Sequence, residues 1–116
     1  MKNAETLKSI FTQCAYLPDG MYEWQNSIAM MLSCDPRDEN IISVDQLVSN
    51  VTGQGKGKLF MNWLCAQADE HQLTLVMDVV PDQAKFTKRL YDFYKRCGFE
   101  DYDDGYDLCR MPQGCR

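Results

Sequence analysis

Gly53-Gln54-Gly55-Lys56-Gly57-Lys58-Leu59 follows an apolar run, Ile41 to Val48, and opens a stretch with helical apolar spacing. Three glycines alternate with polar or cationic residues where a strand hands over to a helix. Such a turn can aim several backbone N–H groups at one point, and glycine lets an anion approach the backbone closely. The positive end of the helix dipole adds to the attraction. The simplest reading is a seat for a phosphate or pyrophosphate. A surface turn of the same composition is the competing one.

Two common glycine patterns do not fit. A nucleotide-binding loop of the Walker type needs four residues before its Gly-Lys pair, then Ser or Thr for magnesium. Gly53 to Gly57 is one residue short, and Leu59 stands where the hydroxyl belongs. The dinucleotide fingerprint is G-x-G-x-x-G, whereas Gly53, Gly55 and Gly57 are spaced G-x-G-x-G.

Working outward, Leu59, Phe60, Trp63, Leu64 and Ala68 form one stripe of a helix predicted over 58–71. Leu73 to Val80 is nearly all apolar, as in a central strand covered on both faces, and Pro81-Asp82 ends it. Phe86, Leu90, Phe93, Tyr94 and Cys97 mark a second helix, with Gly98 as its C-terminal cap. Phe99–Tyr102 and Tyr106–Met111 read as a final hairpin around Asp103-Asp104-Gly105. Toward the N-terminus, Leu7, Ile10, Phe11 and Cys14 give an amphipathic helix over 4–16, and Leu17-Pro18-Asp19-Gly20 is a turn. Trp24–Cys34 and Ile41–Ser49 read as strands joined by the polar turn 35–40, although the methionines of the first also suit a helix. The predicted order is α-β-β-α-β-α-β-β, in one domain over 1–116.

Gln54-Gly55-Lys56-Gly57 resembles the acetyl-CoA pyrophosphate loop of the GNAT acyltransferases, Q/R-x-x-G-x-G/A. Leu90-Tyr91-Asp92-Phe93-Tyr94-Lys95-Arg96-Cys97-Gly98-Phe99 resembles the late helix of that family and its ending. The resemblance spans residues 41 to 112, with Leu59 in place of the motif's last small residue. It implies an α/β (α+β) fold: a mixed, mostly antiparallel sheet, helices on both faces, and a splayed parallel strand pair at the centre. The front end is short by the family's measure, as in compact members that bacteriophages and other mobile elements encode.

The resemblance also implies the chemistry, with acetyl-CoA as co-substrate and an amine on a protein or small molecule as acceptor. Leu47-Val48-Ser49 and Met77-Asp78-Val79 would wall the pantetheine arm, and Gln54, Gly55, Lys56, Gly57, Lys58 and Leu59 would carry the pyrophosphate. The backbone N–H near Val48 would polarise the thioester carbonyl. Tyr94 would give the proton to the departing thiolate, with Tyr91 as alternate. Asp45, on the strand before the loop, is the nearest candidate base, and strict strand alternation puts it on one face with Leu47 and Ser49. The competing reading is an inactive protein of this fold that acts by binding a partner, a host protein included.

Composition narrows the classes further. At 116 residues and a net charge of −5, the chain suits one globular domain and not a general nucleic-acid binder. No apolar run reaches the length of a membrane span, and Met1–Glu5 lacks the core of a signal peptide, so a cytoplasmic monomer or homodimer is expected. The six cysteines contain no C-x-x-C pair and His71 is the one histidine. Reduced thiols and no metal site are therefore expected, with Cys65 and Cys97 as small core residues.

Overall fold

The computed structural model describes residues 1–49, 55–78, 91–102 and 107–112. They form a mixed α+β fold. Helix α1 (Lys2–Thr12) leads into short strands β1 (Ala15–Tyr16) and β2 (Tyr22–Trp24), then β3 (Ile28–Cys34) and β4 (Ile41–Ser49). Helix α2 (Lys56–Glu70) and β5 (Thr74–Met77) follow, then helical residues 91–96 (α3), β6 (Glu100–Asp101) and β7 (Leu108–Arg110). One seven-stranded sheet runs in the order β1-β2-β3-β4-β5-β7-β6. All neighbours are antiparallel except β4 and β5, which pair in parallel across the α2 crossover.

The sheet is thus mostly antiparallel with one parallel seam, as expected, but two features depart from the sequence reading. The front end is not short of strands. Trp24-Gln25-Asn26-Ser27-Ile28 breaks the expected single strand into a hairpin, with Gln25 and Asn26 at φ 48 and 57 and Ser27 N–H donating to the Trp24 carbonyl. Two adjacent left-handed residues reverse the chain tightly, and the apolar flanks concealed this.

The second difference is confined to the described residues, whose helices lie on one face; the expected helix marked by Phe86 to Cys97 lies partly outside them. Phe11 of α1 stacks on Tyr22 at 3.9 Å, and Phe60 and Trp63 of α2 pack on Trp24. Tyr94 of α3 meets Phe99, and α1, α2 and α3 all join the cluster built on Met30, Leu32, Ile42, Val44, Leu75 and Met77. These strand residues share one face through their cross-strand pairs. Val76, Ser43 and Cys109 on the opposite face are also buried.

Two polar devices lock the frame. Asn3 is fully buried, and its Nδ2 donates to the carbonyls of Asp35, Asp38 and Ile41, tying α1 to the β3–β4 turn. Arg110 of β7 donates to both carboxylate oxygens of Asp69 at 2.7 and 3.0 Å, and its Nε donates to the Cys97 carbonyl. This fork joins the end of α2, the end of α3 and the sheet. The Arg110 side chain is 6% exposed and Asp69 25%. Asp69→Ala, which strands the buried cation, is expected to cost about 3–5 kcal/mol. Arg110→Met leaves a carboxylate that still reaches water, and is expected to cost less. Thermal denaturation of both variants checks the ordering; equal small losses would mean that the pair does not hold the frame.

Gly98 caps α3 as expected. At φ 102 it lets Phe99 N–H reach back to the Tyr94 carbonyl and its own N–H reach that of Lys95, a Schellman ending that drives Phe99 into the core.

Candidate functional site

The parallel seam is short. Ile41 to Val44 pair with Thr74 to Met77, and there the described pairing stops. Strand β4 runs on to Ser49, held on its other edge by β3 as far as Ile28↔Ser49. The far half of β4 therefore has a partner on one side only among the described residues. Backbone groups left open in this way require a partner from elsewhere.

A β-bulge sits at the point of departure. Leu32 faces Val44 and Met31 faces Gln46, so Asp45 is the extra residue on β4. An inserted residue shifts the alternation of everything beyond it. Leu47 consequently packs with Val44 on the core face, whereas Asp45 is exposed and accepts a 2.6 Å hydrogen bond from Ser43 Oγ. The expected sharing of one face by Asp45 and Leu47 is overturned by this bulge. Val48, 39% exposed, belongs to the face opposite Leu47.

Helix α2 starts beside this gap. Gly55 is its N-cap, in the left-handed region at φ 69, where glycine carries no steric cost. The first described intrahelical bond at this end runs from Leu59 N–H to the Gly55 carbonyl. The N–H groups of Lys56, Gly57 and Lys58 thus lack acceptors within the helix. Gly55 supplies no side-chain cap, and the first turn holds no acidic residue. Two lysines at the positive end of a helix dipole are unfavourable alone and favourable around an anion. A Cβ built at Gly57 would meet no described residue within 4 Å, so among the described residues the space above that backbone is open. Gln54 and Gly53 lie outside the described residues. Leu59 is 52% exposed and is not a described lining residue of the cavity beside Gly57.

That cavity, about 230 Å³, is lined among the described residues by Ile28, Leu47, Gly57, Phe60, Met61, Phe93 and Tyr94. It joins β3, the far half of β4, the first turns of α2 and the late helix α3. Three residues singled out from the sequence, Leu47, Gly57 and Tyr94, meet here; Asp45 does not. Ile28, Phe60, Met61 and Phe93 were legible only as apolar positions, because periodicity shows a buried face and not what it is buried against. On the other expected wall, Met77 is buried in the core, and the Asp78 carboxylate accepts from Asp107 N–H. Val79 lies outside the described residues.

Burial raises the pKa of Tyr94 above the ordinary phenol value, with a smaller push from Cys97. The ring thus stays protonated through neutral pH. Tyr91 is raised by burial and then by Asp107, which it hydrogen-bonds, with Asp101 and Asp78 nearby; it is not a described lining residue of the cavity.

The other candidate groups are structural. His71 ends α2, its Nδ1 3.0 Å from the Gln67 carbonyl one turn back. Among the described residues, no group of three His, Cys, Asp or Glu side chains could hold a metal, and Cys14, Cys34, Cys65, Cys97 and Cys109 are unbridged. No described helix is long and apolar enough to cross a membrane.

Burial pushes the Cys14 and Cys65 thiols up to about 11. A folded pKa above the unfolded one means that this contribution to stability is complete below about pH 8.5 and fades as pH rises toward 11. Unfolding by denaturant at fixed temperature should show no loss from these groups between pH 7 and 8.5 and a clear loss by pH 10.5. A flat profile to pH 10.5 would contradict the burial of these thiols.

No family model, no curated protein and no solved structure matches this chain.

Proposed function

We propose that the chain is an acyl-CoA-dependent N-acyltransferase, acetyl-CoA being the simplest donor. The observation that carries this reading is the meeting of Leu47, Gly57 and Tyr94 around one cavity where, among the described residues, β4 runs on past its pairing with β5. A phosphate seat, an open strand edge and a neutral phenol are the three parts that thioester aminolysis needs from a protein.

The donor supplies a thioester carbonyl, whose carbon bonds to the acceptor nitrogen as its bond to sulfur breaks. The N–H groups of Lys56, Gly57 and Lys58 hold the pyrophosphate, assisted by the two ammonium groups. The edge of β4 beyond Val44, which has no partner among the described residues, pairs with the amides of the pantetheine arm, as an added strand would. The backbone N–H near Val48 polarises the carbonyl. Tyr94 Oη gives its proton to the thiolate as charge develops there. The proton the amine loses passes to Asp45, fixed by Ser43, if the amine arrives from the face opposite the cavity, and to water otherwise; in either case it replaces the one Tyr94 gives up. The binding-protein reading is favoured by one observation, the separation of Asp45 from the cavity by the sheet itself.

Calorimetry with acetyl-CoA tests the reading, with dissociation constants in the micromolar range or below expected. No heat and no thermal shift at millimolar ligand would remove it.

A further inference from the structure

We infer that the preferred donor carries a medium-length alkyl chain, of roughly six to eight carbons, housed in the cavity between β4, α2 and α3. This rests on the acyl-CoA reading above and deepens it. A cavity of about 230 Å³ far exceeds what an acetyl group fills, since a methylene occupies roughly the 30 Å³ share of a liquid water. Ile28, Phe60 and Met61 are buried and Leu47, Phe93 and Tyr94 half-buried, and Tyr94 is the one polar side chain among the described lining residues. The pantetheine amides would be left unpaired against these side chains, a costly burial. On the reading above their partners lie on the edge of β4 beyond Val44, unpaired on that side among the described residues. An alkyl chain needs no partner.

Charge completes the match. Lys56 and Lys58 flank Gly57 in the chain, and Gly57 lines the cavity, so an anionic head at the start of α2 and an apolar tail in the cavity suit one ligand. A ligand with both, a fatty acyl thioester of CoA, fits the whole arrangement. The bonds exchanged stay the same: C–N forms, C–S breaks, and the thiolate takes the Tyr94 proton.

Calorimetry with acetyl-, butanoyl-, hexanoyl-, octanoyl- and decanoyl-CoA tests the inference. Affinity should rise about two- to fourfold per added methylene up to hexanoyl or octanoyl and level or fall at decanoyl. Ile28→Phe, which fills the cavity, should move the optimum to shorter chains, and Phe93→Leu to longer ones. A series that is flat or falls from acetyl onward overturns the inference while leaving the acyl-CoA reading intact. An optimum that both variants leave unmoved places the chain elsewhere. No binding by any member overturns both.

Discussion

Gly57→Val is expected to abolish acyl-CoA binding, at least a hundredfold in affinity, and to leave the domain folded. The position is helical, lies in the first turn of α2, and has no positive φ. Among the described residues, nothing comes within 4 Å of a side chain's first carbon there. Glycine is therefore not required by packing against any described residue. It is also unfavourable in a helix by about 0.5–1 kcal/mol relative to alanine. On the proposed reading, a residue that costs stability and meets no need among the described residues serves what approaches from outside. Valine would stand between the pyrophosphate and the N–H groups of Lys56, Gly57 and Lys58. Circular dichroism and thermal melting check the fold, and calorimetry the binding. A folded variant that binds normally would show that the anion does not sit at α2. The milder Gly57→Ala should weaken binding while leaving the melting temperature equal or higher, which separates a functional glycine from a structural one.

Tyr94→Phe is expected to lower turnover by roughly 10- to 1,000-fold with little change in donor affinity. On the proposed role the phenol would act when the thiolate develops charge, so its loss would belong in kcat and not in ground-state binding. Phenylalanine keeps the ring that packs against Phe93 and Phe99 at 5.4 and 5.9 Å, so the core survives. Because burial holds the phenol protonated, loss of its proton should not limit turnover by the parent protein below about pH 10. Turnover requires an acceptor, for which polyamines, aminoglycosides, peptides and cell lysate form the screening panel. Equal turnover in parent and variant would return Tyr94 to a packing role. Tyr91 is then no substitute on the cavity wall, since it faces Asp107, and bulk water would have to protonate the thiolate. Failure to modify any acceptor despite donor binding would favour the binding-protein reading.

The sequence by itself determined the parts whose signals are local. The apolar stripes of α1 and α2, the strand Ile41–Ser49, the left-handed cap at Gly98 and the glycine loop ahead of α2 all follow from spacing and backbone freedom. Those properties are felt within a few residues, so they can be read along the chain. The short strands β1 and β2 escaped because a two- or three-residue strand exists only through its neighbour. Asp45 escaped because a bulge is a mismatch between two strands, invisible in either alone, and it reversed the face expected of the carboxylate. The Asp69–Arg110 fork and the Asn3 clamp join segments distant in sequence, and polar residues there carry no pattern that announces burial. The tertiary structure alone decided that Leu47, Gly57 and Tyr94 surround one cavity. Sheet order places the end of β4, the start of α2 and α3 side by side, and no periodicity within any one of them encodes that meeting.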